Sequence, residues 1–335
     1  MKMKQILLAS LIFVVALVAS VILLGRIPLP TDASGGWMKF ENNPVLGGNL
    51  GVCFDVSVIK EENVFRMWFS WRPRASIALV ESRDSIHWGA PIIALAPDET
   101  TGWEDVVNRP VVVKQPPGYH LWYTGQTSAR SWIGHATSPD GRIWTRTGRE
   151  PVLSPEMPWE KVAVMCPHVL WDDEVKLYKM WYSGGEQYEP DAIGYATSAD
   201  GLTWKKHPQP VFAPSKEFLW ESHKVTACQV IRHEGWYLMF YIGFPDDHHA
   251  QIGLARSRDG VSDWQRHPAN PIIKPGVSPS DWDSDAVYKP CAVYEGDRWL
   301  LWYNGRRGQV EQIGLAIHHG EDLGFDSSTA IPQTK

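Results

Sequence analysis

One cassette recurs five times in this chain, and it constrains the fold more than any other feature. Its core is Met67-Trp68-Phe69-Ser70, Leu121-Trp122-Tyr123-Thr124, Met180-Trp181-Tyr182-Ser183, Met239-Phe240-Tyr241-Ile242 and Leu301-Trp302-Tyr303-Asn304. The second members stand 54, 59, 59 and 62 residues apart. Downstream comes an Ile-Gly element at Ile133-Gly134, Ile193-Gly194, Ile252-Gly253 and Ile313-Gly314, with Ile77-Ala78 in the first copy. A Ser-x-Asp-Gly-x-x-Trp turn follows at 138–144 and 198–204, with looser copies at 82–88 and 257–264. Each unit opens on an apolar, β-branched run, at 52–59, 106–113, 162–170, 225–231 and 286–294. Asp-Gly marks a tight turn between strands, so each unit holds four short strands. The expected fold class is all-β, a five-bladed β-propeller over residues 31–325.

The fifth unit lacks the Trp…Pro-apolar element that ends the others, as in Trp144…Pro151-Val152-Leu153. Trp37…Pro44-Val45-Leu46 carries it ahead of the first unit, so segment 37–46 is expected to supply the outer strand of the last blade and cover its edge. Much of the excess of 18 tryptophans then finds a packing role at recurrent positions, the second-strand set Trp68, Trp122, Trp181 and Trp302 and the turn set Trp88, Trp144, Trp204 and Trp264.

Residues 1–30 are a different material. Positions 6–24 carry no charge, with Lys2 and Lys4 before them and Arg26 after. Nineteen such residues are long enough to span a bilayer, longer than the roughly 7–15 apolar residues of a cleaved signal peptide. The expectation is an uncleaved signal anchor with a short Pro-containing spacer, the alternative a cleaved peptide. Lysines retained inside would put the propeller outside the cytoplasm, attached to the membrane through this segment. Residues 326–335 read as a tail. Lys plus Arg total 32 against 38 Asp plus Glu, for a net charge of −6, which argues against nucleic acid as a partner. Cys53, Cys166, Cys228 and Cys291 fall at unequal offsets in the aligned first strands and contain no C-x-x-C, so they read as small buried residues. Adjacent His248-His249 beside Asp246-Asp247 rarely converge on one ion. No metal and no cofactor is expected.

Function should sit where the repeat is broken on the face that carries the first-strand starts, the inter-blade linkers and the loops after the second strands. Aligned first strands place Asp55, Arg109, Cys166, Ala227 and Lys289 at one position, preceded by Phe54, Asn108, Met165, Thr226 and Tyr288. The linkers repeat a Trp-acid pair at Trp103-Glu104, Trp159-Glu160, Trp220-Glu221 and Trp282-Asp283, which fits a structural cap; Asp105, His223, Lys224 and Asp285 beside them do not repeat. The loops add Trp71, Arg72, Glu186 and Arg306. Glycoside cleavage needs two carboxyls flanking the bond, one protonated and one ionised. The carboxyl candidates are Asp55, Asp105, Asp285 and Glu186. The substrate-binding candidates are Trp71, Arg72, Trp103, Asn108, Arg109, His168, His223, Lys224, Tyr288, Lys289 and Arg306, with Trp71 and Trp103 as faces for sugar rings.

The pattern Trp-Tyr-Ser-Gly…Ile-Gly-Tyr-Ala-Thr-Ser-x-Asp-Gly-x-x-Trp at 181–204 resembles the five-bladed glycosidase propellers, of the arabinanase and invertase type (glycoside hydrolase families 43 and 32) and of β-mannoside phosphorylase family 130. The resemblance implies a catalytic Asp on the first strand of blade one, which Asp55 matches. It implies a stabilising Asp in blade two, where Asn108-Arg109-Pro110 stands, and a general acid two residues before a Pro in blade three, where Met165 stands. The phosphorylase pattern Glu-Asp-Pro-Arg is similar to Glu104-Asp105 followed by Arg109, and implies basic phosphate holders at Arg109, His223, Lys224 and Lys289. The implied substrate is an oligo- or polysaccharide, cleaved or transferred at a glycosidic bond. The alternatives are a phosphorylase or transglycosylase and a non-catalytic glycan-binding propeller.

Overall fold

The computed structural model describes residues 31–325, so the expected anchor at 1–30 and the tail at 326–335 lie outside the described residues. Among the described residues no helix is long and apolar enough to cross a membrane, and the only helical elements are single 3-10 turns. The chain forms five antiparallel four-stranded sheets. Their innermost strands are Cys53–Glu61, Val106–Gln115, Ala163–Asp172, Lys224–His233 and Ala286–Glu295. Each packs against the next, and the fifth packs against the first, so the ring closes around a central axis. The sheets are the five blades of a β-propeller, numbered from Cys53–Glu61. Blades two and three are joined by a single parallel contact, Ala163 with Ser131.

The outer strand of blade five comes from the other end of the sequence. Trp37–Lys39 pairs antiparallel with Val310–His319, Trp37 opposite His318 and Lys39 opposite Ala316, and Val45 and Leu46 extend the contact to Ile313. Trp37-Met38-Lys39 takes the place that Trp144-Thr145-Arg146, Trp204-Lys205-Lys206 and Trp264-Gln265-Arg266 hold in blades two to four.

The core is a set of wedges between blades. Trp68, Ile77 and Leu79 of blade one interlock with Val107, Val112, Leu121 and Tyr123 of blade two, and similar clusters fill the other seams. The recurrent tryptophans also tie blades polarly: the indole N–H groups of Trp68, Trp122 and Trp181 donate to the carbonyls of Gly141, Gly201 and Gly260 in the Asp-Gly turns of the next blade, at 2.9, 2.9 and 2.8 Å. These glycines have φ of 77, 74 and 76°, which a side chain would strain.

The linker Trp-acid pairs form a second repeated device. Trp103 covers Gly125 and Gly134, and Trp159 covers Gly184 and Gly194, so closely that a Cβ there would overlap the ring. The neighbouring acid is fully buried and bonded to a tyrosine of the second strand and a base of the fourth. Glu160 accepts from Tyr182 at 2.6 Å and Lys206 at 2.8 Å, Asp283 from Tyr303 at 3.1 Å and Lys39 at 2.7 Å, and Glu104 from Arg146 at 2.7 Å; Glu221 pairs with Tyr241 and Arg266.

Candidate active site

Every innermost strand carries a β-bulge at the same height, two residues facing one on the second strand. The first bulge residues are Asp55, Arg109, Cys166, Ala227 and Lys289, with φ of 54, 52, 52, 39 and 49°. This left-handed geometry turns the side chain out of the sheet pattern. The second bulge residue is Pro110, Pro167 or Pro290 in three blades, tolerated in a central strand because the bulge needs no N–H there. The bulge N–H groups are held across blades: Asp55 donates to Asn304 Oδ1 at 3.0 Å, Arg109 to Ser70 Oγ at 2.8 Å, Cys166 to Thr124 Oγ1 at 3.1 Å and Ala227 to Ser183 Oγ at 2.7 Å.

At the bulge end of the axis lies a cavity of about 240 Å³ lined by Asp55, Arg72, Arg109, Tyr188, Glu189, Thr226, Tyr288, Arg306 and Glu311, with Phe54, Ile242 and Phe244 among its apolar walls. Asp55 is buried. Its Oδ1 accepts from Asn304 Nδ2 at 3.3 Å, while Oδ2 lies 3.5 Å from Arg109 Nε and among the described residues has no hydrogen-bond donor. Arg109 Nη1 donates to Asn108 Oδ1 at 2.9 Å and Gln126 Oε1 at 3.2 Å, and Asn108 donates to the same Gln126 oxygen at 3.0 Å, so two amides fix the guanidinium. Thr226 Oγ1 and Arg306 Nε are also buried without a partner. Among the described residues three polar atoms of one cavity thus lack a protein partner.

Two carboxyls join Asp55. Glu311 opens the third strand of blade five, holds Arg72 Nη2 at 3.1 and 3.3 Å and accepts from the Tyr288 hydroxyl; burial raises its pKa. Glu189 stands on the loop after the second strand of blade three. Burial pushes it up to about 7, against the pull of Arg109 and Lys224 and with the help of negative Asp55. That loop is pinned: Gln187 Nε2 donates to Thr127 O in blade two at 2.9 Å, its Oε1 accepts from Ser131 Oγ at 3.1 Å, and Lys161 bridges Glu186 at 3.1 Å and Asp191 at 2.7 Å. Tyr188, with φ of 73° and 56% exposed, stands at the rim.

Of the residues expected from the sequence, Asp55, Arg72, Arg109, Tyr288 and Arg306 meet at this cavity. Asn108 acts on it through Arg109. Trp71 and Asn108 line an adjoining groove between blades one and two that shares Tyr188, Arg72 and Arg109 with the cavity. His223, 2.8 Å from Asp247, and Lys224, 3.3 Å from it, stand behind the Asp247 wall. The other expected residues lie elsewhere. Asp105 is exposed beside the linker. Asp285 accepts from the Gly308 N–H at 2.7 Å and closes a hairpin. Glu186 points to solvent and Lys161, which lowers its pKa. Trp103 is buried and stacked on Tyr123, and its indole donates to Arg149 O at 2.8 Å, so it offers no face to a sugar. His168 and Lys289 face a separate chamber farther along the axis.

Glu189, Tyr188 and Glu311 were not singled out by sequence reasoning. Glu189-Pro190 sits in a loop of variable length, outside the alignable strands. Glu311 had a usable signal: two residues before the Ile-Gly element the other units carry Ala75, Ser131, Asp191 and Ala250.

The N-terminal domain model of the glycosyl hydrolases family 32 matches residues 57–230. An uncharacterized protein of Mycobacterium tuberculosis is 29% identical over 211 residues, 59% of this chain and 66% of that protein. A 1,2-beta-oligomannan phosphorylase of a Thermoanaerobacter species is 29% identical over 196 residues, 57% of this chain and 59% of the enzyme. The chain thus spans less than two thirds of the length of these curated relatives. A solved structure described as a glycoside hydrolase shares the fold, with a TM-score of 0.68 at 18% identity, covering 86% of this chain and 92% of that one.

Proposed function

The chain belongs to the family of the glycosyl hydrolases family 32 N-terminal domain, and on that premise we propose that it is a carbohydrate-active enzyme that cleaves or transfers a glycosidic bond in the axial cavity. The observation that carries this reading is the pair Asp55 and Glu189, brought to one cavity from blades one and three with opposite environments. Asp55 stands against the Arg109 guanidinium, its Oδ2 3.5 Å from Arg109 Nε. Glu189, raised to about 7, keeps a proton near neutral pH. Such a division is what glycoside cleavage requires. Glu189 donates its proton to the glycosidic oxygen as the C–O bond breaks and the leaving sugar departs as an alcohol, while water adds to the anomeric carbon and passes a proton to Asp55, which faces the positive charge that develops there. Glu189 thereby takes the role that a Glu before a Pro would hold on the strand where Met165 stands.

Arg306 favours a second, phosphorolytic form of the same reaction. Among the described residues its Nε is unpaired, no carboxylate lies within ion-pair distance of its guanidinium, and its Nη2 donates to His248 O at 2.9 Å. Inorganic phosphate could then take the place of water, as the similarity to a 1,2-beta-oligomannan phosphorylase suggests. We also propose an extracytoplasmic position, resting on the uncharged stretch at 6–24 and the lysines before it; membrane and soluble fractions of expressing cells test it.

The test of the activity is a panel of oligosaccharides, β-1,2-mannosides included, incubated with and without inorganic phosphate and read for reducing ends and sugar phosphate. Glu189→Gln and Asp55→Asn should each lose about 10²–10⁴ in rate with the melting temperature retained. Folded variants that keep the wild-type rate would remove these residues from the mechanism. A folded wild-type protein that binds glycans yet yields no product in either condition would leave a glycan-binding propeller.

A further inference from the structure

Lys289 occupies the fifth bulge, but its side chain does not reach the cavity that holds Asp55. It faces a second chamber of about 290 Å³ on the same axis, walled by the middle and far parts of the innermost strands, Val58, Pro110, Val111, Val169, Cys228 and Cys291 among them. Lys289 is only 4% exposed. Among the described residues its ammonium has neither a hydrogen-bond acceptor nor a carboxylate within ion-pair distance, and no Asp or Glu lines the chamber.

A buried ammonium without a counter-charge is costly, and proteins pair such groups or neutralise them. The neighbouring groups do not supply the charge. Burial holds the thiol of Cys228 up at about 12 and that of Cys291 at about 11 in spite of Lys289 beside them, so neither is a thiolate. His168 gives its Nε2 proton to Val230 O at 2.7 Å and stays neutral, its pKa pushed down to about 3 chiefly by burial. The chamber does offer one more donor: Ser57 Oγ accepts from the Val112 N–H at 3.1 Å, which leaves its hydroxyl proton free to turn inward.

We propose that this chamber is an anion site, in which a small monovalent anion of the chloride class sits on the propeller axis against the Lys289 ammonium, below the catalytic cavity and separate from it. The anion neutralises the Lys289 ammonium, and its binding stabilises the closed ring; Lys114, the other cation of the chamber lining, is already paired with Glu61.

Bromide is the probe. Crystals of the full-length protein soaked in sodium bromide should show an anomalous peak in contact with Lys289. In solution the thermal midpoint should rise with bromide and saturate, by about 5 °C at a hundredfold excess over the dissociation constant, while sodium gluconate at equal ionic strength should not raise it. Lys289→Met should abolish the bromide response, and Lys289→Arg, which keeps the charge, should retain it. A wild-type crystal with bromide peaks only elsewhere overturns the proposal, and so does a Lys289→Met protein whose midpoint still climbs with bromide. Should Lys289→Met fail to fold, the wild-type anomalous map decides alone.

Discussion

Ring closure rests on a bond between the two ends of the propeller, and removing one atom group from it has a calculable cost. Lys39 Nζ lies 2.7 Å from Asp283 Oδ2 and 3.1 Å from Asp32 Oδ2. The Lys39 side chain is 10% exposed and that of Asp283 only 2%. Lys39→Met keeps the length of the stem and deletes the charge, which leaves a buried carboxylate held by the Tyr303 hydroxyl alone. Breaking a buried pair in this way costs about 3–5 kcal/mol. In a domain of this size each kcal/mol moves the melting temperature by roughly 2 °C, so the variant should melt about 6–10 °C lower by tryptophan fluorescence. Two companions calibrate the number. Lys206→Met breaks the equivalent pair with Glu160 inside blade three and should cost about the same. Lys39→Met combined with Asp283→Asn removes both charges and should recover most of the loss, because the penalty is the orphaned carboxylate and not the missing bond. A Lys39→Met protein that melts with the wild type while Lys206→Met is destabilised would show that segment 37–46 does not hold the ring.

Two pH dependences follow from named groups. On the proposed mechanism Glu189 works in its protonated form, and burial pushes its pKa up to about 7, so kcat/KM on any accepted glycan should hold below that pH and fall tenfold per unit above it; a basic limb that persists unchanged in the residual activity of Glu189→Gln belongs to another group. Stability should respond on the acid side. Burial depresses His135 and His168 to about 3, so between pH 6.5 and 3 the unfolded chain takes up protons the folded chain refuses. Each histidine should therefore withdraw about 2 kcal/mol by pH 5 relative to pH 7, measured as a lower urea midpoint, and His135→Gln should flatten the acid slope; an unchanged slope would assign it to other groups.

The architecture was legible because it is written five times. The Trp-Tyr core, the Ile-Gly element and the Ser-x-Asp-Gly turn each repeat with one packing duty, and repetition separates that duty from chance. The same logic explains Trp103. As a single residue it reads as a sugar platform, but as one of four linker tryptophans it reads as the cover of a glycine pair, which is where it lies. The site was half legible. Asp55, Arg109 and Arg306 stand on strands or hairpin ends whose position the repeat fixes. Glu189 does not: its loop has no counterpart of equal length, and its chemistry comes from burial by other blades, which no local pattern records. Asp105 and Glu186 lie outside the cavity for the converse reason. Both are acids on the right face, yet each is turned toward solvent.

Why the chemistry gathers on the bulges follows from the backbone. In a flat strand, side chains alternate between the two blade seams, and both seams are filled by core. A bulge inserts one residue that obeys neither seam, and its left-handed φ turns the side chain toward the axis. The fold supplies that exit five times and stabilises it from the neighbouring blade in four: Asn304, Ser70, Thr124 and Ser183 each accept the bulge N–H. At the fifth, Ile242 stands in the equivalent place and has no acceptor to offer. Because the scaffold bears the conformational cost, side-chain identity at these positions is free to serve the axis: acid at 55, base at 109, thiol at 166, methyl at 227, ammonium at 289. Four of the five open on the cavity with Glu189, while Lys289 turns into the chamber beyond. The one bulge without a side-chain acceptor is thus the one whose side chain leaves the shared cavity. Ile242→Ser, which restores an acceptor at that place, should draw the Lys289 N–H into the pattern of the other four. The measurable outcome is slower hydrogen exchange at the Lys289 amide. Exchange at the wild-type rate would mean that the hydroxyl does not reach the bulge and that the acceptor is not what shapes it.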